Sequence, residues 1–279
     1  AEALGIELKM INATDDFLGV LKNPKHGYGS NMNPCIDCRI LFFRKAKEIM
    51  NQVGASFIIT GEVLGQRPMS QFKRQMDIIE KESGLEGLVV KPLSAKILPA
   101  TIPEKEGWIN RERLLSIEGR SRKIQIALAK EFGINDYPCA AGGCLLTDIG
   151  FARKVKDLII HDELNIANIQ ILKAGRYFRL SEKANLVVGR NEKENETLGL
   201  LAREGDFVFR PSHVPGPLGV GRGLFDPSLI ALACQIVARY CDRDGSDSVE
   251  ISYRHAPEID EKPMAASPLD ESELKRIRI

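Results

Sequence analysis

The hydrophobic pattern of this 279-residue chain changes near residue 160, and that change limits the folds it can adopt. Before that point, short apolar runs alternate with segments of helical period, which is the pattern of a parallel α/β sheet. The strands predicted there span 6–11, 56–60 and 87–92, and the helices span 15–21, 39–53, 70–83, 110–117, 120–132 and 151–160. The pattern therefore predicts a parallel-sheet α/β first domain over residues 1–160.

The remainder of the chain has a different pattern, in which short strands are separated by Gly, Asn and Pro. The predicted strands are 177–180, 186–188, 207–209 and 249–253, and the predicted helices are 192–202 and 227–240. These elements indicate a smaller α+β domain over residues 161–255. Residues 256–279 are rich in Pro, Ser, Asp and Glu, which predicts a mobile tail.

The charge is divided between the two halves, although the whole chain has a net charge of only +1. Residues 1–160 carry 23 Lys and Arg against 19 Asp and Glu, whereas residues 161–279 carry 16 against 19. The basic surplus is concentrated in residues 105–130, where a stripe of cations can bind a polyanion or form a solvated helix face. No apolar run approaches the roughly 18 residues of a membrane helix, and no signal peptide is seen, so we expect a cytoplasmic protein.

Six cysteines are present, and four of them form two groups. Cys35 and Cys38 stand in an Asn-Pro-Cys-Ile-Asp-Cys segment that enters a predicted helix, whose N-terminus is expected to favour thiolates. Cys139 and Cys144 flank a Gly-Gly turn. A redox pair, a zinc site and an iron–sulfur site all fit this spacing. The others are Cys234, a predicted core residue, and Cys241, for which no partner is predicted.

Three motifs of the first half resemble one enzyme group. Residues 60–71, TGEVLGQRPMSQ, resemble the TGE-x-LGQ-x-x-SQ segment of tRNA 4-thiouridine synthases, which belong to the PP-loop ATP pyrophosphatases. Residues 33–38, NPCIDC, resemble the cysteine pair of the tRNA thiolases in this group that use an iron–sulfur cluster. Residues 117–123 and 141–148 resemble a bacterial subfamily of such thiolases. The resemblance implies a parallel-sheet PP-loop-type (Rossmann-like) α/β domain.

One motif of the second half resembles a known RNA-binding module. Residues 186–195, LVVGRNEKEN, are similar to the VGRN-x-x-x-N signature of the RNA-binding (R) region of NFACT ribosome-quality-control proteins. A Gly-Asp pair at 205–206 and a Pro-Gly pair at 215–216 match further elements of that region. A thiolase-like domain joined to an NFACT-R-like domain is typical of tRNA thiouridylases.

The resemblance implies an ATP-dependent tRNA sulfurtransferase. ATP with Mg would adenylate a uridine carbonyl, and a sulfur nucleophile would then displace AMP. The Ser-Gly-Gly-x-Asp-Ser loop that binds pyrophosphate in these enzymes does not occur in the chain. We therefore expect the first domain to be N-terminally incomplete, with that loop encoded upstream of Ala1 or carried by a separate subunit.

The nucleotide pocket is expected where a predicted central strand ends. Thr60, Gly61, Glu62 and Gln66 are the implied pocket residues, and Glu62 is also an implied catalytic group. The same segment can instead be a strand-to-helix turn in which glycines merely permit the bend.

By the resemblance, Cys35, Cys38 and Cys144 would ligate a 4Fe–4S cluster, leaving one iron open for a hydrosulfide. Zinc bound by these residues and Cys139 is an alternative. In a third, metal-free interpretation one cysteine carries a persulfide and another resolves it, and Cys139 is the catalytic candidate.

The expected partners are tRNA, a sulfur donor that is either hydrosulfide or a sulfur-carrier protein, and by resemblance a second copy of the chain. No membrane partner is expected. The predicted RNA contacts are Arg111, Arg113, Arg120, Arg122, Lys123, Arg190, Asn191 and Asn195. Asn191 can also cap the following helix, with Glu194 completing a capping box. The competing hypothesis is a non-catalytic, metal-stapled RNA-binding protein with a degenerate PP-loop domain.

Overall fold

A computed structural model describes residues 1, 4–137, 143–243 and 245–279. The chain divides into two compact units, unit 1 at residues 1–147 and unit 2 at residues 148–279. The helix that covers residues 149–160 thus belongs to unit 2, whereas the sequence placed it at the end of the first domain.

Unit 1 contains five described helices and two short strands. The elements are α1 (Thr14–Lys22), α2 (Cys35–Gln52), β1 (Ile58–Ile59), α3 (Lys73–Ser83), β2 (Val89–Val90), α4 (Ile102–Lys105) and α5 (Lys123–Glu131), with single 3₁₀ turns at Ala95–Ile97, Arg111–Arg113 and Leu145–Thr147. β1 and β2 pair in parallel, with Ile58 opposite Val89, as the alternating pattern predicts.

Two predicted elements of unit 1 are wrong. Residues 6–11 lie outside any strand, and the side chains of Ile6, Leu8 and Met10 are exposed, because no neighbouring strand pairs with this segment. The predicted helix at 110–117 shrinks to the 3₁₀ turn Arg111–Arg113. After that turn the backbone N–H groups of Leu115 and Ile117 donate to Pro92 and Leu93 instead of continuing a helix.

The core of unit 1 is built on the apolar face of α2. Ile36, Ile40 and Phe43 recur at helical spacing and pack with Ile79 of α3 and Val89 of β2. α3 ends at a glycine in the left-handed conformation, as is common at helix C-termini. This packing fixes the start of α2, where two cysteines lie.

Unit 2 is built on one six-stranded antiparallel sheet. Its elements are α6 (Ile149–Ile160), α7 (Ile166–Ile171), β3 (Arg176–Ser181), β4 (Ala184–Val188), α8 (Glu192–Leu201), β5 (Phe207–Pro211), β6 (Gly219–Gly223), α9 (Pro227–Arg239), β7 (Val249–His255), β8 (Lys262–Ala266) and α10 (Glu271–Ile277). The strand order is β3-β4-β6-β5-β7-β8. The expectation of a mobile tail is wrong, because residues 256–279 contain β8 and α10 and bury Leu269 and Leu274.

The glycines of β6 make room for the neighbouring elements. A Cβ at Gly219 would lie 2.9 Å from a methyl of Val237 on α9, and one at Gly221 would lie 2.5 Å from the ring of Phe225. Glycine in a strand commonly marks such a close approach. The strand therefore lies against an apolar core that includes Phe209 and Val237.

The fold is mixed α/β, with a parallel two-stranded sheet in unit 1 and an antiparallel six-stranded sheet in unit 2. Among the described residues, none of the helices combines the length and the hydropathy that crossing a membrane requires.

Candidate functional site

A cavity of about 790 Å³ opens in unit 1 and brings together most of the residues predicted for catalysis. Three cysteines from two distant segments line it: Cys35, Cys38 and Cys144. Its other lining residues are Ser30, Asn33, Arg39, Phe42, Gly61, Glu62, Gln66, Arg67, Pro68, Met69, Ser70, Gln71, Arg122, Gly143 and Thr147.

Hydrogen bonds across more than a hundred residues of sequence hold Cys144 beside the start of α2. The backbone N–H of Met32 donates to the carbonyl of Leu146 at 3.1 Å, and the Asn31 amide donates to the carbonyl of Thr147 at 2.7 Å. Thr147 in turn donates to the Cys144 carbonyl from its backbone N–H at 2.9 Å and from its hydroxyl at 2.6 Å. These bonds attach the Gly-Gly-Cys segment to the loop that carries the cysteine pair.

The Cys38 thiol is not a ready thiolate, contrary to the expectation from its position at a helix start. Burial raises its pKa to about 11, and the nearby Cys35 and Cys144 add to the rise, while Arg39 opposes it. Cys38 is therefore expected to be a neutral thiol at neutral pH, and a bound cation would favour its deprotonation.

The loop of residues 60–71 forms another part of the cavity wall. The backbone N–H of Gly65 donates to the carbonyl of Gln71 at 2.7 Å, and the N–H of Arg67 donates to its side-chain oxygen at 2.9 Å. Gly61, Glu62 and Gln66 line the cavity, as predicted for the nucleotide pocket, and the Thr60 hydroxyl donates to Glu62 at 3.4 Å. The loop is thus held by its own polar groups.

Gln66 carries an unsatisfied polar group at this wall. Its side-chain nitrogen is buried and has no hydrogen-bond partner among the described residues. Such a group is costly in the free protein, and a ligand oxygen would satisfy it.

Arg39 is a site residue that sequence reasoning missed. Its Nε donates to Glu62 at 3.0 Å, a second nitrogen contacts the same carboxylate oxygen, and its guanidinium lies 5.3 Å from the centroid of the Phe43 ring. Glu62 is buried, so this pair holds both side chains in the cavity wall. Arg39 directly follows the cysteine pair in the sequence, but no local pattern indicates that it meets a residue beyond the next strand.

The predicted cations of residues 105–130 occupy different environments. Arg122 lines the cavity, whereas Arg113, Arg120 and Lys123 are exposed. The Arg111 guanidinium donates to Glu104 at 2.6 Å and to the carbonyl of Leu98 at 2.8 Å, so it ties two turns of unit 1 together.

Within the described ranges, no group of three His, Cys, Asp or Glu side chains is placed to hold a single metal ion. Cys139, the catalytic candidate and fourth zinc ligand of the alternative, lies outside the described residues. The remaining cysteines, Cys234 and Cys241, are buried in the core of unit 2, as expected for Cys234.

In unit 2 the VGRN segment is held by its own hydrogen bonds. The side-chain oxygen of Asn191 accepts from the N–H of Glu194 at 3.0 Å, which confirms the helix cap. The Glu194 carboxylate does not close the capping box on Asn191 but accepts from the N–H groups of Arg190 at 2.9 Å and Gly175 at 3.1 Å. Asn195 accepts from the N–H of Leu218 at 3.0 Å.

Arg190 is the member of this motif whose charge faces outward. Its guanidinium pairs with Glu194 at 2.5–3.0 Å, and its side chain is 54% exposed. The two asparagines position the turn, and the arginine remains accessible to a ligand.

Residues 175–278 match the family model described as the NFACT protein RNA binding domain. This segment is an NFACT-type RNA-binding domain. It runs from the start of β3 through α10, so it includes the residues that the sequence assigned to a mobile tail. The match confirms the RNA-binding interpretation of the second half and moves its boundaries toward the C-terminus.

Further comparisons add two facts. The chain matches none of the curated proteins with which it was compared. Among solved structures it is similar to the C-terminal part of the fibronectin/fibrinogen-binding protein from Streptococcus suis, with 16% sequence identity and a TM-score of 0.34 over 88% of this chain and 90% of that chain.

Proposed function

We propose that this chain contains the sulfur-transfer site and the RNA-binding domain of an ATP-dependent tRNA uridine thiolase with a PP-loop-type catalytic domain. The observation that supports this most strongly is the cavity of unit 1, where Cys35, Cys38 and Cys144 share a wall with Gly61 and Gln66. A sulfur-transfer enzyme requires thiols and a polar substrate pocket in contact, and this cavity supplies both.

The proposed reaction replaces a carbonyl oxygen of uridine with sulfur. The oxygen attacks the α-phosphorus of ATP and pyrophosphate leaves. Hydrosulfide then attacks the activated carbon, and AMP departs with the original oxygen. No oxidant or reductant is needed, because the sulfur stays at the sulfide oxidation state in hydrosulfide and in thiouridine, and the hydrosulfide proton is released. Adenylation is needed because oxide is a poor leaving group and AMP is a good one.

The polar residues of the cavity suit this chemistry. The buried, unpaired amide of Gln66 would donate to an oxygen of the bound base or nucleotide. Arg39 and Arg122 line the cavity and would place positive charge beside the phosphates of a bound ATP. Glu62 pairs with Arg39, so its proposed role is to position that guanidinium.

A 4Fe–4S cluster is the cofactor that the resemblance of the first half implies. Cys35, Cys38 and Cys144 line one cavity and would hold the cluster there. When bound, the cluster would provide a site for the donor sulfur.

Unit 2 would bring the substrate. Its NFACT-type domain supports RNA as the partner, and tRNA is the RNA that the resemblance of unit 1 implies. The sulfur donor would be hydrosulfide or a sulfur-carrier protein.

Mass spectrometry of tRNA nucleosides tests the proposal. A strain lacking the gene is complemented with the wild-type gene, with Cys38→Ser, or with Cys241→Ala as a control outside the cavity. We expect one thiouridine to disappear in the deletion strain, return with the wild type and Cys241→Ala, and stay absent with Cys38→Ser. An unchanged nucleoside profile in the deletion strain would favour a non-catalytic RNA-binding protein.

A further inference from the structure

Four cations from separate elements of unit 2 meet around the start of β3. Lys154 lies on α6, and Arg176 is the first residue of β3. Arg176 pairs with Val188, which places it beside the end of β4 from which Arg190 emerges. On the free edge of β3, Arg278 forms a bridge with Phe178.

Backbone carbonyls orient the two inner cations without neutralising them. The Lys154 ammonium donates to the carbonyls of Leu172 at 3.2 Å and Gly175 at 3.0 Å, which leaves one of its three protons without a described acceptor. The Arg176 guanidinium donates to the carbonyl of Gly189 at 3.0 Å and lies 4.2 Å from the centroid of the Tyr240 ring. Both side chains are half-buried.

The acidic groups near this cluster are already engaged. Glu194 accepts hydrogen bonds from Arg190 and two backbone N–H groups, and Asp148 caps the start of α6. Among the ion pairs of the described residues, none includes Arg278, whose side chain is exposed. The cluster therefore has more positive than negative charge.

The positive charges of the cluster also repel one another, which disfavours the charged forms of its members. Burial lowers the pKa of Lys154 to about 8, with Arg190 and Arg278 contributing to the shift and Glu194 and Asp148 opposing it. Burial likewise lowers the pKa of Arg176, and Arg278 and Arg190 again contribute. A bound anion would relieve this repulsion, which is why such clusters commonly mark functional sites.

We propose that Lys154, Arg176, Arg190 and Arg278 form a binding site for a phosphodiester group of RNA. The inference rests on the RNA-binding part of the proposed function and identifies where the backbone is held. The side chains of Arg190 and Arg278 are exposed. They can therefore bind a phosphate group whose neighbouring nucleotides on both sides remain outside the protein. Lys154 precedes the matched family segment of 175–278, so the site extends beyond that segment.

The test measures binding of an unmodified, fluorescently labelled tRNA transcript to the full-length protein over a range of KCl concentrations. Arg278→Ala removes an exposed cation of the cluster, and Arg276→Ala removes a nearby exposed cation that is not among the groups acting on Lys154 or Arg176. We expect Arg278→Ala to raise the Kd about tenfold and to reduce the slope of log Kd against log salt by about one. Arg276→Ala should stay within about twofold of the wild type.

The outcomes separate the site from the function on which it rests. If the wild type binds tRNA and both variants weaken binding equally, the site is refuted while RNA binding stands. If the wild type does not bind tRNA, the RNA-binding part of the proposed function fails. Retention of inorganic pyrophosphate by the wild type but not by Arg278→Ala, without tRNA binding, would overturn the RNA assignment in favour of a free anion.

Discussion

Among the described residues, the two units differ in how completely their buried polar groups are satisfied. In unit 2, buried charges are paired inside the protein: Arg222 donates to Asp206 at 3.1 Å and to the carbonyls of Ala167 and Leu201 at 2.6 and 2.8 Å. In unit 1, the cavity contains the unpartnered amide of Gln66. Buried polar groups that are hydrogen-bonded within the protein give unit 2 a rigid support for RNA binding. A buried polar group without a partner in unit 1 can instead hydrogen-bond a ligand.

The largest expected effect is a loss of stability when a buried ion pair of unit 2 is broken. Arg222→Met would remove the guanidinium from buried Asp206, which would keep only its contacts with Arg203 among the described residues, and the free energy of unfolding should fall by about 3–5 kcal/mol. The matched control is Arg210→Ala, whose pair with Glu261 at 2.9 Å is exposed and should cost less than about 1 kcal/mol. Urea denaturation measures both, and equal losses would contradict the comparison.

The next effect concerns thiol reactivity in unit 1. Because the pKa of Cys38 is about 11, its thiolate fraction at pH 8 is roughly 100-fold or more below that of free cysteine. We expect slow alkylation of Cys38 by iodoacetamide at pH 8, rising through pH 11, and rapid alkylation at pH 8 after unfolding. Tandem mass spectrometry assigns the label, and fast modification of folded Cys38 at pH 8 would refute the assignment.

A smaller effect separates two glutamines of the same loop. Gln66→Leu removes an unpaired buried donor, so stability should stay constant or rise by up to about 1 kcal/mol while thiouridine formation is lost. Gln71→Leu removes the acceptor of the Arg67 N–H, so stability should fall by about 1–2 kcal/mol. Denaturation and nucleoside analysis check both variants. A large loss of stability in Gln66→Leu would show that its amide has a partner within the protein.

The last effect is a pH dependence in unit 2. Lys154 has a folded pKa of about 8 against an ordinary 10.5, so the unfolded chain binds more protons between these values and stability should rise with pH across that window. The charged groups that act on Lys154 are Asp148, Arg190, Glu194 and Arg278.

RNA affinity should change in the opposite direction, weakening as pH rises through 8, because the ammonium that binds phosphate is lost. Lys154→Met serves as the control and should lack both trends between pH 7 and 10. Wild-type profiles that match this variant would show that Lys154 does not titrate there.

The features that could be predicted from the sequence are those that local patterns determine. The periodic apolar face of α2, the parallel pairing of two short strands and the Asn191 cap were all predictable, and the wall formed by Gly61, Glu62 and Gln66 was proposed from its motif. The approach of Cys144 depends on bonds from Asn31 and Met32 across the chain, and no local pattern encodes them.

There are also physical reasons why some elements were not predicted from the sequence. β6 reads Gly-Val-Gly-Arg-Gly and β8 reads Lys-Pro-Met-Ala-Ala, compositions with low strand propensity that tertiary packing overrides. α10 does carry a local signal in the sequence: Asp270 accepts from the N–H of Ser272 at the helix start, and Leu274 is spaced to reach the core.

Transfer of labelled sulfur to RNA tests most directly whether both units serve one reaction. The full-length protein is prepared anaerobically, together with the subunit that carries the pyrophosphate loop where that loop lies on a separate chain. It is incubated with ATP, Mg²⁺, ³⁵S-hydrosulfide and unmodified tRNA, and label in uridine is measured. The account predicts label with the wild type, none with Cys38→Ser, and reduced label with Arg278→Ala that higher tRNA concentration restores. Label that persists in Cys38→Ser, or a wild type that transfers no sulfur, would contradict it.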